Sequence, residues 1–186
     1  MTRIPVLLCL LCVPFTVSAQ ATSNPPPAAK LAGHLHYELL PLQMGAPYAG
    51  QEANEKAKAS IQQHLNEDIA PLLDTWTKAA KADDPDTTLQ IAPEIQSIKF
   101  ISGGKRFWVG PLAGSSSVVL KVTLREQPSG TVIGEPEFFQ RASAQSGAWT
   151  MGGQDNDMLR RIVVVLKSYL EGNYSEAVGG ATGREK

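Results

Sequence analysis

Cysteine is scarce in this sequence of 186 residues. Its two cysteines, Cys9 and Cys12, both lie near the N-terminus, and each follows a leucine where a lipid-anchored bacterial protein carries a small residue. If that N-terminal segment is removed on export, the remaining chain has no disulfide, no thiolate nucleophile and no cysteine ligand for a metal. Its stability must then come from a packed core.

Long apolar runs are missing as well. The longest covers residues 4–15, which is too short for a membrane-spanning helix of about 20 residues. Arg3 precedes this run and small residues follow it at 17–19, the pattern of a secretory signal peptide cleaved after Ala19. We therefore expect residues 1–19 to direct the chain to the periplasm or out of the cell, and the mature chain to have no transmembrane segment.

Neither sign of charge predominates. The chain has 17 Lys and Arg against 18 Asp and Glu, a formal net charge of −1. Proteins that bind nucleic acid usually carry a basic excess, so no nucleic-acid partner is expected. The length fits one domain and is too short for a barrel enzyme or a two-domain dinucleotide enzyme.

Composition divides the mature chain into three parts. Residues 20–32 are rich in proline, alanine and serine, which predicts a flexible, Pro-rich tether. Residues 33–174 are expected to form a single α/β domain. Residues 175–186 are small and polar and predict a flexible tail. The oligomeric state is left open.

Hydrophobic periodicity predicts the element order β-α-β-β-β-α. That order favours an α+β fold, a two-layer sandwich in which a small mixed or antiparallel sheet carries helices on one face. Asp155 to Asp157 are expected to cap the start of the last helix and Gly172 its end. The predicted segments are a strand at 33–40, a helix from Gln51 to Lys81 broken at Pro71, strands at 97–101 and 117–125, a hairpin turn at 127–130, a return strand from about Thr131 to Ala144, and a helix around 159–170.

Polar residues alternate along the first predicted strand. His34, His36 and Glu38 fall on one strand face because side chains repeat with a period of two, and two imidazoles with a carboxylate can bind zinc. The alternative is an ordinary polar face, because same-face neighbours lie about 7 Å apart, further than the ligands of one zinc ion usually sit. A metal-binding protein or metal-dependent hydrolase using these three residues is therefore the second candidate function.

Cations and aromatics stand together in a segment bounded by glycines at 104 and 110. Arginine and tryptophan are enriched at binding hot spots, so we predict that Arg106, Phe107 and Trp108 contact a protein partner. The alternative is that Phe107 and Val109 continue the sheet and pack inward. No P-loop or nucleophile elbow is present, so no catalytic residue and no cofactor is predicted.

Glycine and turn positions of the C-terminal half follow a recognisable layout. They are Gly103-Gly104-Lys105-Arg106, Val109-Gly110, Ala113-Gly114-Ser115, a valine-rich strand, Gly130 in a turn and an amphipathic helix after Gly152-Gly153. This layout, over roughly residues 87–172, resembles an exported bacterial family catalogued as domain of unknown function 4410. The chain departs from it at Pro111-Leu112, where the family tends to repeat glycine, and at Gln127-Pro128-Ser129, where it tends to have Asp-Ala-Thr.

The resemblance implies a Gram-negative envelope location and brings no assigned activity. The element order also looks like the small periplasmic α/β modules of TolB-type and outer-membrane synthase-activator proteins, which work by binding partners. Taken together, the residues and the resemblance predict an exported binding or accessory module that is not an enzyme and whose partner is another envelope protein.

Overall fold

The computed structural model describes residues 22–100, 116–142 and 153–184. The elements are β1 (Ser23–Asn24), β2 (His36–Leu39), β3 (Gln43–Met44), α1 (Glu52–Asp68), α2 (Ala70–Ala79), β4 (Thr88–Lys99), β5 (Ser117–Gln127), β6 (Val132–Gly134), β7 (Glu137–Arg141), α3 (Gly153–Gly172) and β8 (Gly180–Ala181). Within the described ranges, six strands form one mixed sheet in the order β2-β4-β5-β6, with β3 beside β4 and β7 beside β5. β2 and β3 run parallel to β4, and the other pairs of this sheet are antiparallel.

The two central strands divide the sheet into a buried and a partly exposed face. Alternate side chains of β4 and β5 are buried, and the residues between them are half-buried or exposed. The helices cover the buried face, so the predicted α+β two-layer sandwich is confirmed. The core is formed mainly by Leu89, Ile91 and Ile95 of β4, Val118, Leu120, Val122 and Leu124 of β5, Ile61 and Leu65 of α1, and Ile162 and Leu166 of α3.

The predicted long helix is broken at the expected place. α1 ends at Asp68 and α2 starts at Ala70, with Ile69 between them. Pro71 is the second residue of α2, in the first turn, where a main-chain N–H has no intrahelical partner to lose. The break lets both helices keep an apolar face on the sheet.

Pro93 lies in β4 beside the point where the edge strand is interrupted. Val122, its partner on β5, directs its N–H to the other side and bonds the Pro136 carbonyl at 2.9 Å. The main chain of Pro93 therefore faces the edge formed by β2 and β3. Because proline has no N–H, it donates no hydrogen bond to that edge. Leu39 pairs with Ile91 and Gln43 pairs with Glu94, so the edge strand has one residue more than β4 between these two pairs. The extra residue divides the edge strand into β2 and β3. The sequence prediction of a strand at 97–101 missed residues 88–96 of β4.

α3 differs from its prediction at both ends. It starts at Gly153, so Asp155 and Asp157 lie inside the helix and the capping prediction is wrong. Gly172 is the last helical residue and does not have a positive φ, so the predicted left-handed cap is also wrong. The next residue, Asn173, donates its N–H to the Tyr169 carbonyl at 3.1 Å. None of the helices in the described ranges is long and apolar enough to span a membrane.

Residues 22–32 and 175–184, the described parts of the segments predicted to be flexible at 20–32 and 175–186, pair and pack with the rest of the fold. β1 pairs with β8, and the Ala28 N–H donates to the Ile133 carbonyl of β6 at 2.6 Å. Leu31 is fully buried in the core. The described parts of these two segments therefore cover one edge of the sheet.

Two buried asparagines hold the chain ends in place. The Asn173 Nδ2 donates to the carbonyls of Tyr169 (2.7 Å) and Gly179 (3.0 Å), and its Oδ1 accepts two main-chain N–H groups at 2.8 Å. Asn24 bonds both the N–H and the carbonyl of Glu137, as a neighbouring strand would. Bonds between such distant residues leave no periodic signal in the sequence.

Candidate functional site

The structure does not bring the predicted metal ligands together. His36 and Glu38 lie on β2 with exposed side chains, whereas His34 precedes the strand and is buried. The strand begins only at His36 and the residue before it is a bend, so the alternation that predicted one shared face does not reach His34. Among the residues described, no three His, Cys, Asp or Glu side chains are grouped to hold a metal ion.

His34 instead joins the ends of two strands. Its Nδ1 lies 2.9 Å from the Thr87 hydroxyl before β4, and its Nε2 lies 3.8 Å from a carboxylate oxygen of Glu126 on β5. Burial lowers the pKa of His34 below its usual 6.5, and this outweighs the charges of Glu126 and Asp84, which raise it. A neutral ring can accept a hydrogen bond at one nitrogen and donate from the other.

Thr87, His34 and Glu126 are arranged in the sequence of contacts of a nucleophile, a base and an acid, but their distances do not fit a catalytic triad. The 3.8 Å separation of His34 and Glu126 exceeds a hydrogen bond. The Thr87 hydroxyl is also 3.4 Å from the Pro85 carbonyl. We therefore assign this group the structural role of fastening the chain before β2 to β4 and β5.

An aromatic cluster extends from His34 across the helix layer. Tyr37 meets His34 edge-on at 5.9 Å and Trp76 of α2 at 5.3 Å, and Trp76 stacks on Tyr174 at 4.4 Å. Burial raises the pKa of Tyr37 to about 12, so its hydroxyl keeps its proton at physiological pH. These rings join β2, α2 and the segment after α3.

We expect His34→Gln to flatten the pH dependence of stability. The pKa of His34 is below 6.5 in the folded protein and near 6.5 in the unfolded chain, so the unfolded chain binds the proton first as the pH falls. The free energy of unfolding of the wild type should therefore decrease from pH 6.5 down to the folded pKa. Urea unfolding between about pH 5 and 8 measures this dependence.

The variant should also lose about 1 kcal/mol at the alkaline end, since the bond to Thr87 is disturbed. The control is Thr75→Ser, at an exposed position of α2, which should keep the wild-type pH dependence. An unchanged dependence in His34→Gln would contradict the role assigned to His34.

The predicted partner-binding residues Arg106, Phe107 and Trp108 lie outside the described residues. The described residues stop at Phe100, just after β4, and resume at Ser116, just before β5.

Two connections of the chain share one end of the sheet. Lys99 of β4 pairs with Ser117 of β5, and the Ala142 N–H after β7 donates to the Ser116 carbonyl at 2.9 Å. The described chain therefore stops after β4 and after β7, and resumes before β5, at this one end of the sheet, which we call the loop end.

A groove of about 410 Å³ lies on the partly exposed sheet face, at the interruption of the edge strand. Such a volume is at the low end of small-molecule sites. Glu94, Gln43 and Thr123 place a carboxylate, an amide and a hydroxyl in the groove, and no histidine is among its lining residues. They are Leu40, Pro41, Gln43, Ala92, Pro93, Glu94 and Thr123.

Comparisons with known proteins give similar structures at low identity. No protein-family model and no curated protein matches this sequence. The PelC dodecamer from Paraburkholderia phytofirmans is 11% identical, with a TM-score of 0.38, over 76% of this chain and 92% of that chain. Protein CT253 from Chlamydia trachomatis is 15% identical, with a TM-score of 0.37, over 76% of this chain and 99% of that chain. Protein XCC0632 from Xanthomonas campestris, of domain of unknown function 330, is 12% identical, with a TM-score of 0.42, over 80% of this chain and 87% of that chain.

Proposed function

We propose that this chain is an exported, non-catalytic binding or accessory module of a bacterial cell envelope, and that Arg106, Phe107 and Trp108 contact its partner protein. The observation that carries the proposal is the loop end, where Ser116 and Ala142 are hydrogen-bonded neighbours. The described chain stops after β4 and after β7 at this end, and the cation-aromatic residues 106–108 belong to the segment between β4 and β5.

The scaffold below the loop end supports this function. β4 and β5 are the longest strands, they pair along nearly their whole length, and their apolar side chains form the core. Binding residues lie disproportionately on loops that a rigid scaffold positions. The signal-peptide pattern of residues 1–19 supports export and an envelope location.

The metal-dependent alternative receives no comparable support. It required His34, His36 and Glu38 to converge, whereas His34 is buried against Thr87 and the other two side chains are exposed on β2.

Alanine at Arg106, Phe107 and Trp108 together should abolish partner binding without unfolding the protein. We expect affinity capture from envelope extracts of the native cell to lose the partner at least about tenfold, since a few such residues carry most of an interface's binding energy. The matched control replaces Glu52, Lys56 and Gln63, exposed residues of α1, and should capture as the wild type does. Equal capture by both triple variants, with unchanged unfolding curves, would remove this segment from the interface.

A further inference from the structure

One edge of the sheet is uncovered in the described parts of the chain. The His36 N–H bonds the Thr87 carbonyl before β4, and the Leu40 N–H bonds the Ile91 carbonyl of β4. Because main-chain groups alternate between the two sides of a strand, those of Tyr37 and Leu39 point away from β4. No main-chain group in the described ranges bonds them on that side. The opposite edge is covered by the chain ends.

The open edge and its neighbouring elements carry partly buried hydrophobic residues. Of the partly buried hydrophobic residues that pack on the core, Tyr37, Leu39, Met44, Tyr48 and Leu72 belong to β2, β3, the turn after β3, or α2. An edge with unpaired main-chain groups and neighbouring apolar surface is a template for another strand. Its exposed face carries His36 and Glu38.

We propose that the open edge pairs with the same edge of a second copy of this chain, antiparallel about a two-fold axis, with Tyr37 opposite the partner's Tyr37. This register sets His36 opposite the partner's Glu38, and the symmetry makes the same pair twice. Opposed side chains of such a pair come closest, at about 4.5 Å between Cα atoms. An imidazole N–H can donate to the facing carboxylate and the two-fold axis makes this bond twice, so this hydrogen-bond complementarity favours a second copy as the occupant.

The nearest two-fold registers, centred on Glu38 or on His36, set identical side chains opposite each other and lose the imidazole–carboxylate pairs, and the next two are opposed by the backbone. Centring the pair on Leu39 would set Tyr37 opposite the partner's Pro41, which has no N–H to donate. Centring it on Leu35 would need an extended conformation at Gly33, which has a φ of +101°. Because β2 has only four residues, we expect a weak dimer that forms at high-micromolar protein concentration.

Cysteine pairing tests both the dimer and its register, since the exported chain from Gln20 onward has no cysteine of its own. We expect a mixture of the His36→Cys and Glu38→Cys proteins to form a disulfide-linked dimer under mild oxidation, at least about tenfold more than either protein alone. The control mixes Glu38→Cys with Gln63→Cys, an exposed position of α1. No cross-link in the first mixture, or equal yields in all samples, overturns the proposal.

A charge exchange gives an independent measurement. Glu38→Lys sets a cation opposite the partner's His36 and should weaken dimerisation about tenfold by sedimentation equilibrium, whereas Glu38→Lys with His36→Glu should restore it. Failure of the double variant to recover would count against the register. β2 pairs with the end of β4 remote from the loop end, so this result is separable from partner binding through residues 106–108.

Discussion

Replacing Leu31 with alanine should destabilise the folded protein by about 3 kcal/mol, within the range for leucine-to-alanine changes in cores. Leu31 lies in a segment whose composition is that of a spacer, yet its side chain is fully buried. Its main-chain N–H also donates to the Asn173 carbonyl at 2.9 Å. Alanine would leave a cavity between the N-terminal segment and the core. Urea unfolding measures the loss.

The neighbouring residue provides a matched control. Lys30 is exposed, so Lys30→Ala should change the free energy of unfolding by less than about 0.5 kcal/mol. If Leu31→Ala cost no more than Lys30→Ala, residues 22–32 would be the spacer that their composition suggests and not part of the core.

Gly179→Ala should destabilise the protein by about 3 kcal/mol, because it combines two penalties. Gly179 has a φ of +78°, where a side chain is strained. An added Cβ would also lie 2.5 Å from the Asn24 carbonyl oxygen and 3.0 Å from the main chain of Pro25 and Pro26. Because these are main-chain atoms, the segment containing β1 would have to move away from β8.

Gly130→Ala separates the two penalties. Gly130 has nearly the same backbone conformation, with a φ of +73°, but open space around the added Cβ. It should therefore show the conformational strain alone and lose about 2 kcal/mol less than Gly179→Ala. Equal losses in the two variants would mean that the close contact between the chain ends does not contribute to stability.

The strands and helices that follow a local hydrophobic pattern could be predicted from the sequence. The alternation of Val118, Leu120, Val122 and Leu124 identifies β5, and the helical period with Pro71 gives the two helices and their break. Contacts between distant residues decide the rest. Pro93 is tolerated in β4 because its main chain faces the interrupted edge, and the chain ends are ordered by the side-chain bonds of buried asparagines.

The candidate site shows the same division. The period of two correctly puts His36 and Glu38 on one exposed strand face. It fails for His34, because the strand begins two residues later and the partners of this histidine, Thr87 and Glu126, lie far along the chain. Glycine and proline mark where loops occur, but only the pairing of strands brings two connections to one end of the sheet.

Cross-linking at the loop end in the native cell tests most directly whether this protein acts through its surface. A photoreactive amino acid in place of Phe107 should give one discrete adduct with an envelope protein, identified by mass spectrometry. The same amino acid in place of Gln63, exposed on α1, should give none. The adduct should also disappear when Arg106 and Trp108 are replaced by alanine. No adduct from position 107, or the same adduct from both positions, would contradict the proposed binding function.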